Sequence, residues 1–134
     1  MKQEKNVKVE SGGSSLPVKH EQMLRLQARP VADIYETGDT FIVALDLPGA
    51  EKKSLQVTVE PGTLAVRGAI QPRSVASGRM IHREIGWNAY ERSFKIGPGI
   101  DEQNISASFS DGVLTVILPK TEKAKPKQIE VHVQ

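Results

Sequence analysis

From residue 32 onward, apolar and polar residues alternate with the period of two that a strand with one buried face requires. Leu55, Val57 and Val59 alternate with Gln56, Thr58 and Glu60, and Ile105, Ala107 and Phe109 alternate in the same way. Residues 40–46, 63–70, 89–96 and 113–118 are further strand-like runs, and Ile34-Tyr35 opens a short one. Turn residues separate them: Gly38-Asp39, Pro48-Gly49, Pro61-Gly62, Gly97-Pro98-Gly99 and Asp111-Gly112. Pro-Gly suits the centre of a type II turn, and Asp-Gly between two patterned runs is a hairpin signal. Seven to eight short strands with no long helix predict an all-β, antiparallel, immunoglobulin-like β-sandwich. No internal repeat is evident, which argues against a propeller or solenoid.

The flanks follow other rules. Residues 1–31 read as an N-terminal arm with a linker-like Ser11-Gly12-Gly13-Ser14-Ser15 stretch. A short amphipathic helix is expected over 18–29, with Met23, Leu24 and Leu26 on its apolar side and Pro30 ending it. Residues 71–86 are an irregular excursion in which 79–85 could form a short strand. Residues 120–134 form a C-terminal extension. Its last residues, Ile129-Glu130-Val131-His132-Val133-Gln134, are patterned like a strand behind a Lys-Pro-Ala linker. Such a stripe needs a groove beside a strand, on this chain or on another copy.

Composition narrows the core and the chemistry. Hydrophobic residues make up 38% and aromatics only 4%, so the core must be built from Val, Ile, Leu and Ala. Cysteine is absent, which removes disulfides, thiolate metal sites and a cysteine nucleophile, and fits a reducing compartment. Neither a membrane-spanning run nor an apolar signal core follows the charged start, so a cytoplasmic location without membrane insertion is expected. The net charge of +2 divides into +3 over residues 1–31, −3 over 32–118 and +2 over 119–134. Neither basic end clusters Arg with aromatics, so nucleic acid is not an expected partner. His20, His82 and His132 lie far apart, and no phosphate-binding loop or nucleophile elbow occurs. No catalysis, metal or cofactor is expected.

Four blocks then carry a resemblance. They are Pro30-Val31-Ala32-Asp33-Ile34-Tyr35 with Asp46-Leu47-Pro48-Gly49, Tyr90-Glu91-Arg92-Ser93-Phe94, the run from Ala107 through Asp111-Gly112-Val113-Leu114, and Ile129-Glu130-Val131. Together they resemble the small heat-shock proteins, with residues 32–119 as the α-crystallin domain. The chain departs from that family's pattern at Ile85, Asn88 and Ile96-Gly97-Pro98.

The resemblance implies an ATP-independent holdase that captures partly unfolded clients and passes them to ATP-dependent chaperones. It implies dimers that assemble further into homo-oligomers. Ile129 and Val131 would be tail knobs in a groove lined by Leu55, Val57, Val59, Ile105, Ala107 and Phe109, though these six also suit an ordinary core. Burying two such knobs is worth on the order of 3–6 kcal/mol before ordering costs. Residues 79–85 match an excursion that adds a strand to a partner's sheet, so Met80, Ile81, His82, Arg83 and Ile85 are dimer-interface candidates. A local loop is the alternative. Arg92, on the apolar face with Tyr90 and Phe94, needs an acidic or carbonyl partner. The resemblance puts it near the dimer interface; a snorkelling Arg at the sandwich rim is the alternative. Met23, Leu24 and Leu26 are client-contact candidates or oligomer-interior residues. A competing function is a non-enzymatic co-chaperone or scaffold module with the related CS-type sandwich.

Overall fold

A computed structural model of the protein describes residues 5–8, 27–72 and 77–133. The Ser-Gly linker, most of the expected helix, and Met23, Leu24 and Leu26 lie outside them. In chain order the strands are β1 (Lys5–Lys8), β2 (Gln27–Ala28), β3 (Ala32–Glu36), β4 (Thr40–Asp46), β5 (Gln56–Glu60), β6 (Thr63–Ala69), β7 (Ala89–Lys95), β8 (Ser106–Ser110) and β9 (Val113–Pro119). They form two sheets, one ordered β1-β5-β6-β7-β2 and the other β3-β4-β9-β8. All pairings are antiparallel except β2 with β7, which is parallel. The β-sandwich expected from the alternation is therefore the fold, with seven strands between residues 32 and 119.

The core is aliphatic, as the low aromatic content requires. Leu45, Leu47, Leu64, Leu114 and Leu118 are its largest enclosed side chains. Tyr90 is the aromatic among the buried residues, and its hydroxyl donates to the Pro48 carbonyl at 2.6 Å. That bond satisfies a polar atom that burial would otherwise penalise.

The turns follow from their residues. Gly49 and Gly62 sit at positive φ, 76° and 80°, each behind a proline, as type II turns demand. Asp111 and Gly112 both have positive φ, 52° and 77°, which is the type I′ turn that matches strand twist. Their registers close two-residue loops, Glu60 opposite Thr63 and Ser110 opposite Val113.

Three features depart from the sequence expectation. Gln27 and Ala28, placed in the expected helix, are a strand beside β7. Pro30 already bars the helix from continuing, and the free edge of β7 offers backbone partners that one frayed turn lacks. Residues 79–85 form no strand. They belong to the connection between β6 and β7, which already pair with each other, so the segment has no edge beside it to join. Finally, one unit does recur. A 3₁₀ turn at Lys52–Ser54 followed by the β5–β6 hairpin is repeated fifty positions later by Glu102–Asn104 and the β8–β9 hairpin. The lone bridges Ala50 to Ile70 and Ile100 to Lys120 repeat at the same offset. Each sheet receives one copy. Two copies make a sandwich, where a solenoid needs at least three.

Candidate functional site: the seam and the exposed apolar segments

The repeat explains the groove candidates. Leu55, Val57 and Val59 of the first copy correspond in position to Ile105, Ala107 and Phe109 of the second. Leu55, Val57, Val59 and Ile105 are buried in the common core, and Ala107 and Phe109 are half-buried against it. The six thus share one apolar layer, where β5 and β8 run along the same side of the sandwich. β8 is the end strand of its sheet, but β5 is not.

The outer edge of β5 carries β1, with Lys5 opposite Val59 and Lys8 opposite Gln56. β1 also approaches β8, so the arm's first strand lies along the seam. Sequence reasoning missed this occupant. The available signal was the alternation Val7-Lys8-Val9, the same apolar-x-apolar pattern as Ile129-Glu130-Val131.

The tail is free in the single chain. Ile129, Val131 and Val133 are 84%, 81% and 94% exposed, and residues 126–133 form no strand. The excursion is similarly open. Met80, Ile81, His82, Arg83 and Ile85 are all exposed, Ile81 at 88%, and Trp87 is exposed beside them. His82 Nε2 lies 3.6 Å from Glu84 Oε2 within the same segment. On the other sheet, edge strand β3 and its approach expose Val31, Ile34 and Tyr35.

Arg92 sits apart from the excursion, on β7. Its Nη1 donates to the Pro30 carbonyl at 2.9 Å, and its guanidinium lies 4.8 Å from the Phe94 ring centroid. The carbonyl partner that burial demanded is therefore the residue where the arm crosses from β2 to β3. Nε of Arg92 is buried with no acceptor. Next to it, Glu91 accepts from the Gln27 amide and lies 3.4 Å from Arg67 Nε, which pins β2 to the same strand.

A second cationic tether was not anticipated. Lys120, just past β9, is buried; its Nζ donates to Glu36 Oε1 at 2.8 Å and to the Thr37 carbonyl at 2.9 Å. It also lies 4.9 Å from the Phe41 ring centroid. These contacts close the β3–β4 turn onto the point where the C-terminal extension leaves. Farther along, Lys125 Nζ donates to Glu122 Oε1 at 2.7 Å, and that bond holds the ammonium above the usual lysine range.

Among the described residues no three His, Asp or Glu side chains converge on a point, and no helix is long and apolar enough to cross a membrane. What the surface offers is unpaired apolar segments on a closed aliphatic core. Such an arrangement can bind extended chain.

Known proteins are similar to this chain in sequence and in fold. The Hsp20/alpha crystallin family model matches residues 33–134. The 18 kDa antigen 2 of Mycobacterium avium is 37% identical over 100 residues, covering 75% of this chain and 72% of that protein. Among solved structures, heat shock protein 16.0 from Schizosaccharomyces pombe superposes with a TM-score of 0.65 at 31% identity, covering 80% of this chain and 99% of the other. A small heat-shock protein from Xylella fastidiosa, described as having a distinct high order structure, gives 0.60 at 29% identity, over 78% and 96%. The chain therefore belongs to the Hsp20/alpha crystallin family, whose role is chaperoning rather than catalysis.

Proposed function

We propose that the protein is an ATP-independent holdase, assembled as a homo-oligomer of dimers, that keeps partly unfolded proteins soluble until ATP-dependent chaperones take them. The observation that carries this is the amount of aliphatic surface left open on two chain segments while the core beneath is fully closed. A monomer rarely leaves such patches without a binding role.

Dimerisation uses the excursion. Met80, Ile81 and Ile85 pair with no strand of their own chain, whereas β3 offers an open edge flanked by Val31, Ile34 and Tyr35. A partner's excursion laid along β3 satisfies both, by the strand addition that unpaired edges favour. Arg92 supports the same region by fixing the approach to β3. Higher assembly uses the tail, with Ile129 and Val131 entering the β5–β8 seam of another copy. Ordering costs about 1–2 kcal/mol per residue, so one docked tail is weak, and many together hold an exchanging assembly. Arm residues Met23, Leu24 and Leu26 contact clients in this scheme. It divides the chain into arm 1–31, sandwich 32–119 and extension 120–134, and places it in the cytoplasm.

The test is light scattering from a heat-labile client, with and without the full chain and without ATP, beside native mass spectrometry. Suppressed scattering by an oligomer supports the proposal. A monomer that leaves scattering unchanged refutes it.

A further inference from the structure

In sequence the C-terminal extension reads as a linker from residue 120, yet residues 120–125 are fastened to the sandwich. The Lys120 N–H donates to the Asp39 carbonyl and the Thr121 N–H to the Gly99 carbonyl, both at 2.8 Å. Glu122–Ala124 then form a 3₁₀ turn, closed by the Ala124 N–H on the Thr121 carbonyl at 2.9 Å. That turn lies so close to Gly99 that a Cβ there would stand 2.8 Å from the Ala124 Cβ. Lys125 is held next by its bond to Glu122, and Lys125, Pro126 and Lys127 share an open cleft with Asp39. Beyond this point Ile129, Val131 and Val133 stand in solvent. We propose that residues 120–125 are a fixed elbow, seated on Gly99, that aims the tail away from its own seam and delivers Ile129 and Val131 to a neighbouring copy. The proposal rests on the tail–groove reading above and adds two positioning residues, Gly99 and Lys125.

Direction and reach both follow from where the elbow ends. Asp39 lies in the β3–β4 turn, and the sheet order β3-β4-β9-β8 puts β8 on the far side of β9 from it. The free tail therefore starts on the side of the sheet opposite its own seam. An extended chain covers at most about 3.6 Å per residue, so from Lys125 Ile129 reaches about 14 Å and Val131 about 22 Å. A chain loose from Lys120 onward would reach about 32 Å and about 40 Å. Freeing the elbow thus roughly doubles the reach and opens directions that include the chain's own seam. A tether matched to its span holds its ligand at the highest effective concentration, and a longer one dilutes it. Gly99 fits this role. Its φ is not positive, so the missing side chain serves the close approach of Ala124 rather than a turn.

The elbow can be levered off without touching the core. Gly99→Ala inserts the clashing methyl, and Ala124→Gly removes the methyl it meets. Lys125→Gln loosens the elbow from the surface, with no new contact. Full-length wild type, Gly99→Ala, the double variant Gly99→Ala/Ala124→Gly and Lys125→Gln are compared by native mass spectrometry. A full-length control carrying Ile129→Gly and Val131→Gly lacks the knobs. Amide exchange at Thr121 and Ala124 reports the state of the elbow.

Gly99→Ala should speed exchange at Thr121 and Ala124 and raise the share of the smallest species about tenfold, as misdirected tails lose effective concentration. The double variant should return both readouts towards wild type, which a general loss of stability would not do. Lys125→Gln should shift assembly the same way by less. Faster exchange with wild-type assembly in Gly99→Ala and Lys125→Gln overturns the elbow as an aiming device and leaves tail docking standing. A double variant that assembles no better than Gly99→Ala overturns it equally, and unchanged exchange at both residues overturns the anchor itself. A control without knobs that assembles like wild type removes the tail–groove reading and the elbow's role with it.

Discussion

Arg92→Met asks what fixes the arm to the sandwich. Met keeps most of the stem and deletes the charge. Lost are the bond from Nη1 to the Pro30 carbonyl at 2.9 Å and the contact with the Phe94 ring at 4.8 Å. A hydrogen bond from a charged donor contributes about 1.5–3 kcal/mol, and a partly buried cation–π contact about 0.5–2 kcal/mol. Against this, the wild type carries a buried Nε–H without an acceptor, a cost of about 1–3 kcal/mol that Met relieves. Taken at their midpoints these leave a net loss of about 1.5 kcal/mol, and each kcal/mol is worth about 4–8 °C in Tm for a domain of this size. The assay is thermal unfolding of the full chain by circular dichroism at one fixed concentration, because assembly itself shifts Tm. Amide exchange at residues 27–33 runs alongside, and should rise because the Pro30 anchor is gone. Phe94→Leu removes only the ring and should lower Tm by less than half as much. A Tm for Arg92→Met within one degree of wild type, with exchange over 27–33 unchanged, would refute the reasoning.

Lys120→Met breaks the contacts with Glu36 and Thr37 at 2.8 and 2.9 Å; Glu36 is mostly exposed and regains water, so a loss of about 1–2 kcal/mol in urea unfolding is expected. Gly68→Ala puts a Cβ 2.7 Å from Leu55 Cδ2 inside the core and should destabilise by about 1–3 kcal/mol in the same assay. Ser54→Ala deletes an acceptor for the Ala69 N–H at 2.8 Å and a donor to the Glu51 carbonyl at 2.6 Å, a loss of about 1–2 kcal/mol. Ile81→Lys, on a side chain fully open in the single chain, should leave the secondary structure unchanged while native mass spectrometry shows the dimer dissociating; an intact dimer counts against the excursion as its interface.

Particular residues show how far the sequence reaches. Leu55-Val57-Val59 and the Pro-Gly and Asp-Gly pairs specify strands, faces and turns because those depend on periodicity and on φ, both local quantities. Low aromatic content specified an aliphatic core, and the partner demanded by Arg92 was required by charge burial, although which carbonyl it would be was not. The position of β1 could not be read in advance: Val7-Lys8-Val9 has strand character, but only the sheet order leaves β5 with an open outer edge for it to join. The same holds for Gln27 and Ala28, strand only because β7 had a free side, and for residues 79–85, which lack a strand because β6 and β7 are already each other's neighbours. The twofold hairpin unit escaped notice because its copies share turn positions and the burial pattern of their second strands, but few residue identities beyond Gly62 with Gly112, Leu64 with Leu114 and Val66 with Val116. Backbone alternation is encoded residue by residue, whereas an edge exists only once every other strand has found its place.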